Sequence, residues 1–447
     1  MIAVLICVLA CAASYWAGKR SLGLGMIALL AFGYFYGILR ANLLTVFSHF
    51  IFDAGMLGLY LSQKWSVHDP ADARRSRMIR LWTMLLIAWP FVIALLPFQP
   101  IMVTIVGLRG NIFFIPVLIL GSQLKEKDLV QLSAGLAVLN VTAAGFAFAE
   151  YSLGVPRFFP FSPVTSTIYA SGDIAGGFFR IPAIFSSAAA YGGSMVASLP
   201  YVIGFWTRAQ RRILRLLALA GIGAALLGIL MSATRLNFVL GSAMIVATLV
   251  TNRVKASKWV AFLVLIAAMG YVAMTNERFQ RFKTLSDTEY LADRVAGSVN
   301  RGFWEILTDY PMGNGMGGGG TSLPYFLQGQ VRNPIGQENE YSRILCEQGI
   351  IGLLLWVAFI GWFLLQARTA FAKGSWQNSR RLVWSFAAVT LGTAWIGTGL
   401  LAAIPMTFMM LLGIGWTTTP MPAEVRPVRH PEKKGSTVVR RYGLVHS

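Results

Sequence analysis

The sequence predicts an all-α, polytopic integral membrane protein with about 12 to 13 transmembrane helices, since its apolar runs are near the length of a bilayer-spanning helix. Hydrophobic residues make up 56% of the 447-residue chain and charged residues 13%. The mean hydropathy is +0.61, which is too apolar for a soluble domain. A polar stretch from about 276 to 347 interrupts the apolar runs. We expect it to be one long loop between the tenth and eleventh spans.

The apolar runs predict the spans in chain order. The first run is followed by Lys19 and Arg20, the wrong polarity for a cleavable signal peptide, so we expect it to be retained as a span. The predicted spans are about 1–18, 22–39, 43–63, 79–98, 101–122, 129–149, 184–206, 214–232, 236–251, 259–275, 349–366, 382–400 and 401–416.

Basic residues alternate from one side of the predicted spans to the other. Of the 38 Lys and Arg residues, 26 fall in loops on a single face, which the positive-inside rule assigns to the cytoplasm. The N-terminus is then outside and the C-terminus inside. This topology explains the net charge of +20 better than nucleic-acid binding does.

The topology divides the chain into four parts. Residues 1–275 hold the first ten spans, with a short outer loop at about 150–183. Residues 276–347 form the long outer loop, 348–416 the C-terminal spans, and 417–447 a disordered basic cytoplasmic tail.

The three cysteines, Cys7, Cys11 and Cys346, indicate neither a disulfide framework nor a metal site. We expect apolar core thiols. No internal repeat of fixed period is present, whereas many transporters are built from such repeats.

Four arginines fall on the predicted outer face at or near membrane depth, where a charge is costly and usually faces a cavity or a partner. Guanidinium groups bind phosphate oxygens bidentately, so four of them together could hold a diphosphate. The alternative is that each reaches the interface or pairs with a carboxylate such as Glu150 or Asp173. The four are Arg109, Arg180, Arg235 and Arg301. The alternative is favoured for Arg109, which has no motif around it.

A glycine-rich run follows at 309–320, Asp-Tyr-Pro-Met-Gly-Asn-Gly-Met-Gly-Gly-Gly-Gly. Its glycines disfavour any stable helix or strand. The run is not a P-loop, because no Lys-Ser/Thr follows it and no strand precedes it. Taken alone, it favours a flexible loop over a binding site.

The segment 337–352 is typical of a polar helix that runs into an apolar span. Helical spacing places Glu338, Tyr341 and Ser342 along one side, and it sets Asn339 and Arg343 four residues apart on one face. Glu338 would stand near the outer membrane surface, where apolar neighbours can raise a carboxylate's pKa and suit it to act as a base. A solvated, capping glutamate is an equal alternative.

Four blocks of residues follow one another in the second half of the chain. They are Arg-Ile-Pro-Ala-Ile-Phe-Ser-Ser at 180–187, Ser-Ala-Thr-Arg at 232–235, Tyr-Pro-Met-Gly-Asn-Gly-Met-Gly at 310–317, and the segment 338–352. In this order they resemble the O-antigen ligase and polymerase superfamily, which includes Wzy-type polysaccharide polymerases and lipid A-core ligases. The likeness covers about 180–366, and the earlier spans resemble the family only in layout. Ligases usually carry His where this chain has Glu338, which favours a polymerase, and the Asn-Pro of the family's first block is replaced by Ser186-Ser187.

The resemblance implies a metal-independent, GT-C-like glycosyltransferase of the bacterial inner membrane with its active site facing the periplasm. Donor and acceptor would both be undecaprenyl-diphosphate-linked oligosaccharides among membrane lipids, with no cofactor and no nucleic acid. A chain-length regulator protein is a further partner that the resemblance leaves open.

The resemblance also implies roles for individual residues. Arg180, Arg235 and Arg301 would stabilise the leaving diphosphate, and Glu338 would take the acceptor proton. The substrate-binding candidates are Asn339, Tyr341, Arg343, Arg294 and Arg109. Two other functions stay open: a ligase that moves the glycan to lipid A-core or protein, and a lipid-linked sugar transporter or flippase.

Overall fold

The protein is a bundle of membrane-spanning helices, as the sequence predicts. The structure, a computed structural model, describes residues 1–63, 65, 70–170, 178–251, 302–320, 323–335, 339–374, 376–394 and 404–420, with isolated positions between 264 and 275. Across these ranges the regular elements are all helical, with no β-strand.

The described helices, in chain order, number seventeen besides two short 3₁₀ turns. They are α1 (Ile2–Arg20), α2 (Leu22–Asn42), α3 (Ile51–Ser62), α4 (Pro70–Ala94), α5 (Ile101–Ile112), α6 (Val117–Ser122), α7 (Glu126–Leu153), α8 (Ser166–Tyr169), α9 (Ala188–Arg208), α10 (Arg212–Met231), α11 (Arg235–Thr251), α12 (Phe303–Asp309), α13 (Tyr325–Gln328), α14 (Glu340–Leu365), α15 (Ala367–Ala370), α16 (Gln377–Thr393) and α17 (Ile404–Thr418).

Eight segments of the described chain are long and apolar enough to cross a membrane, and α5 and α6 together count as one of them. Shorter apolar helices cover Val46–Ser62, Arg235–Val250 and Ile404–Thr418. Each falls on a predicted span. The predicted span at 259–275 lies mostly outside the described residues, as does the second part of the one at 382–400.

Helix α9 lies at the centre of the bundle. It packs against α7, α10, α11, α16 and α17, and 94% of its 18-residue apolar stretch is buried. Glycines let neighbours come close, a common feature of helix contacts in membranes. A Cβ at Gly204 would lie 2.7 Å from Ser379 Cβ.

The two ends of the bundle differ in charge. At the end we call the basic end, Arg208 pairs with Glu126 and stacks over Trp376, while Arg380 donates to Thr417 O at 2.8 Å. Lys19 and Arg20 also lie there, in the last turn of α1. The described part of the chain therefore keeps these predicted cytoplasmic residues on one side.

The opposite end, which we call the motif end, carries the blocks singled out in the sequence. The C-terminal end of α2 packs on the first of them, where the Ile38 N–H donates to Ile184 O at 3.2 Å. A Cβ at Gly37 would meet Phe185 C at 2.0 Å, so only glycine permits this approach.

Helix α14 is discontinuous. Gly349 has φ 69° and ψ −172° inside it, a conformation that is essentially restricted to glycine. The break separates a polar half-helix, 340–348, from the apolar span that follows. The polar half-helix was predicted, but its burial was not: residues 340–349 are all buried, although the sequence placed 340–347 in an outer loop.

Candidate functional site

The structure brings the first two sequence blocks together at the motif end. Arg180 lies in the segment that precedes α9, and its Nε donates to the Ser232 carbonyl oxygen at 3.0 Å. Its Nη2 donates to Thr234 Oγ1 at 2.5 Å. Arg235 begins α11 directly after this turn. Two of the four predicted diphosphate-binding arginines thus belong to neighbouring segments.

Two turns of this site are strained: the turn at Ala183, which follows Arg180, and the turn at Ala233, which precedes Arg235. Ala183 has φ 52° and Ala233 has φ 47°, in the left-handed region where a residue with a Cβ costs about 1–2 kcal/mol. Such strain persists where surrounding contacts over-determine the backbone, and it is common at functional sites. Here the Arg180–Ser232 hydrogen bond joins one turn to the other.

The Glu150 carboxyl group holds the turn at Ala183 through a hydrogen bond. Its side chain is fully buried, and Oε2 accepts the Ala183 N–H at 2.9 Å. Oε1 has no hydrogen-bond partner among the described residues. The sequence offered Glu150 as a partner for an arginine, whereas in the structure it holds the backbone of the turn that carries Arg180.

Arg343 lies in a second cluster, inside the polar half-helix. Its Nε and Nη2 donate to Glu340 Oε1 at 2.8 and 2.5 Å, and its Nη1 donates to Glu347 Oε2 at 2.6 Å. The exposed fractions of the three side chains are 3%, 1% and 0%. The i,i+3 and i,i+4 spacing places both carboxylates on the same helix face as the guanidinium.

Asn111 of α5 completes this cluster from the facing helix. Its Nδ2 donates to Glu347 Oε2 at 2.6 Å, and its Oδ1 accepts from Arg343 Nη1 and from Gln348 Nε2. The network ties two spans together. Arg343, a predicted substrate-binding residue, is buried in ion pairs.

The glycine run is packed rather than flexible, so that expectation was wrong. Residues 313–319 are all buried, and Gly313, Gly315, Gly317 and Gly320 have positive φ. A Cβ at Gly107 of α5 would lie 2.2 Å from Gly317 N. The glycines are used for close backbone approach, which the entropy argument alone did not reveal.

The run also satisfies the backbone groups that the break in α14 releases. The Asn314 N–H donates to Cys346 O at 2.6 Å, and the Ile350 N–H donates to Pro311 O at 2.9 Å. Such groups need a partner wherever water is excluded. The third and fourth sequence blocks therefore form one packed unit.

Arg109 pairs with a carboxylate, which is one form of the alternative that the sequence favoured for this residue. Its guanidinium forms an ion pair with Asp53 of α3 and lies over the Phe50 ring at 5.1 Å. It also donates to His49 O at 3.4 Å.

The remaining predicted site residues divide between the described chain and the rest. Asn339 caps α14, where its Oδ1 accepts the Ser342 N–H at 2.7 Å, and the Tyr341 hydroxyl donates to Leu391 O at 2.5 Å. The roles expected of the others stay predictions, because they lie outside the described residues: Asp173, Arg294, Arg301 and Glu338.

The described ranges contain no cluster of metal-ligating side chains and no disulfide bond. No group of three or more His, Cys, Asp or Glu side chains there could hold a metal ion. The three cysteines are free, and Cys346 is buried.

Sequence reasoning missed several residues that the packing brings together. Asp53, Asn111 and Glu347 lie in or beside apolar runs, and a polar side chain at such a position is itself a signal. Asp53 pairs with Arg109 and Asn111 with Glu347 across different helices, so the sequence alone could not pair them. Glu347 and Arg343 share a helix, and their i,i+4 spacing was the signal that could have joined them.

These features define a polytopic α-helical membrane protein with a polar, tightly packed motif end. No family model matches the chain, and no curated protein matches it. Any function must therefore be argued from the residues themselves.

Proposed function

We propose that the protein is a polysaccharide polymerase that joins undecaprenyl-diphosphate-linked oligosaccharide repeats by glycosyl transfer at the motif end. The observation that carries the proposal is the contact of Arg180 with the Ser232–Arg235 turn. Two segments separated by a complete helical hairpin, α9 and α10, bring two cationic residues to one place. Arginines near a leaving diphosphate can stabilise its developing charge.

In this reaction the acceptor hydroxyl oxygen attacks the anomeric carbon of the donor sugar. The bond from that carbon to the diphosphate oxygen breaks, and the lipid diphosphate leaves with the bonding electron pair. Glu338 would take the hydroxyl proton as general base. The glycine run and the half-helix of α14 support this role, because they form one packed unit that includes Asn339, the neighbour of Glu338 in the chain.

The proposed orientation places the motif end at the periplasmic face of the bacterial inner membrane. Support comes from the charge asymmetry between the two ends of the bundle, since basic residues collect on the cytoplasmic side. The described basic residues at the other end include Arg208, Arg380 and Lys19.

A transporter of lipid-linked sugars is the second candidate, because one observation favours it. Discontinuous helices such as α14, broken at Gly349, commonly form the substrate sites of secondary transporters. The buried ion pairs of Arg343 fill the space beside this break, which argues for a structural use of it.

Two variants test the polymerase in cells. We expect Arg235→Ala and Glu338→Gln to abolish polymer while the lipid-linked repeat accumulates. Lys434→Gln, in the tail, is the control and should leave polymer unchanged. Normal polymer lengths in both test variants would contradict the site. Loss of the lipid-linked repeat from the outer face would favour transport instead.

A further inference from the structure

A separate cluster of polar side chains around Arg40 lies at the C-terminal end of α2, which packs on the Arg180 segment through Ile38 and Ile184. The Arg40 guanidinium lies over the Tyr36 ring at 5.4 Å, and the Tyr36 hydroxyl donates to His49 O at 3.2 Å. Tyr36 thus joins Arg40 to the segment that holds His49. Neither Arg40 nor His49 belongs to a sequence block of the proposed reaction.

Arg40 has unused capacity to donate hydrogen bonds. Its Nη2 reaches Val164 O at 3.5 Å, at the limit of a hydrogen bond. Its Nε is buried and has no hydrogen-bond partner among the described residues. Arg109, by contrast, is neutralised by Asp53. Within the described ranges, Arg40 has no such carboxylate partner.

His49 adds a second polar group to the cluster. Its side chain is only 6% exposed and packs against Tyr325 and Phe326, with ring centroids at 6.0 and 5.7 Å. Its carbonyl oxygen accepts hydrogen bonds from the Tyr36 hydroxyl at 3.2 Å and from Arg109 Nη2 at 3.4 Å. Asp53 neutralises Arg109, so the positive charge that favours an anionic ligand here is that of Arg40.

Exposed apolar side chains lie next to this cluster in the chain. Between Arg40 and His49 the chain exposes Leu44, Val46 and Phe47 at 54%, 50% and 55%. These residues follow the end of α2, where a membrane protein meets the lipid headgroups. A cation with buried polar neighbours on one side and exposed apolar side chains on the other suits a ligand that is itself amphiphilic.

We infer that Arg40 and His49 form a binding site for the phosphate of a membrane lipid, distinct from the Arg180–Arg235 turn. Guanidinium groups bind phosphate oxygens through charge-assisted, bidentate hydrogen bonds. The exposed apolar side chains would contact the first carbons of the lipid chain. Such a phosphate could come from a bulk anionic lipid or from a lipid-linked substrate.

The site can be tested by binding alone, so its failure is distinct from failure of the proposed polymerase. The full-length protein is purified in detergent and offered three probes: phosphatidylglycerol, undecaprenyl monophosphate and uncharged diacylglycerol. Native mass spectrometry measures the fraction of protein that retains each probe. We expect retention of the two phosphates and not of diacylglycerol.

Arg40→Gln should weaken retention of the phosphates about tenfold or more, because it removes a charge-assisted interaction. Arg157→Gln is the matched control: this exposed arginine lies in the nearby 155–157 turn, and its loss changes net charge equally. Arg40→Lys should restore part of the binding by keeping the charge. Equal retention by wild type and Arg40→Gln would overturn the site, as would equal retention of diacylglycerol.

The probes also distinguish the two sources of phosphate. A preference of about tenfold for undecaprenyl monophosphate over phosphatidylglycerol would assign the site to a lipid-linked substrate, because specificity is the difference between the two affinities. Equal binding of the two lipids would assign it to bulk lipid. If Arg40→Gln does not fold, millimolar inorganic pyrophosphate should displace the lipid from wild type, and failure to displace it would overturn the inference.

Discussion

Arg343 and Arg180 lie at the same end of the bundle but make different kinds of contact. Arg343 is enclosed by two carboxylates, Glu340 and Glu347, and all three side chains are buried. Arg180 donates to a backbone carbonyl and a hydroxyl at Ser232 and Thr234. One arginine compensates buried charge, while the other joins two strained turns.

This difference shows that an arginine at membrane depth does not by itself mark a catalytic site. An arginine between carboxylates contributes to packing, and its charge is already matched. An arginine that joins two turns, as Arg180 does, also fixes the start of α11, where Arg235 would meet a phosphate through charge-assisted hydrogen bonds. Substitutions of Arg343 and its carboxylate partners should therefore lower stability, and substitutions of Arg180 or Arg235 should lower activity.

The largest effect on stability is expected from Arg343→Gln. The change leaves Glu340 and Glu347 buried without their cation, and breaking a buried ion pair costs about 3–5 kcal/mol. The thermal unfolding midpoint in detergent should fall sharply. Arg157→Gln, at an exposed arginine, controls for the loss of one charge. An unchanged midpoint in Arg343→Gln would contradict a structural role for the cluster.

Gly349→Ala should destabilise the protein next most strongly. An added Cβ would meet the Met312 carbonyl carbon at 2.6 Å and Pro311 O at 2.7 Å, so backbone strain and overpacking each add about 1–3 kcal/mol. Gly320→Ala is a matched control, because Gly320 has φ 71° and nothing within 4 Å of its Cβ position. Equal unfolding midpoints for the two variants would show that the glycine run does not pack against the break.

Glu150→Ala should have a smaller effect. It leaves the buried Ala183 N–H without an acceptor, at a cost of about 1–3 kcal/mol. Glu150→Gln keeps an acceptor oxygen and should stay close to wild type in the same thermal unfolding measurement. A loss in Glu150→Gln as large as in Glu150→Ala would mean that the charge, and not the hydrogen bond, is what matters.

Much of the helical layout could be predicted from the sequence, because bilayer thickness fixes the length of an apolar span. The polar half-helix before the last long span was also predictable, since the segment 337–352 is typical of a polar helix that runs into an apolar span. These are local features, and local sequence encodes them.

The partners of the site residues were less predictable. Asn111 and Glu347 are 236 residues apart in sequence, yet they share a 2.6 Å hydrogen bond. Likewise, the glycine run is typical of a flexible loop until its contact with Gly107 is known. Tertiary packing decides these cases, and periodicity carries no information about it.

The most direct test of the polymerase proposal is the initial rate of chain extension by purified Arg180→Ala in detergent, with lipid-diphosphate oligosaccharide as donor and acceptor. Detergent leaves no compartments, so extension reports enzyme activity and not transport. The proposal predicts extension by wild type and a loss of about 100-fold or more in the variant, the size expected for removing one transition-state contact, with the unfolding midpoint retained. No extension by wild type, or a variant rate within about twofold of it, a difference too small for such a contact, would contradict the proposal.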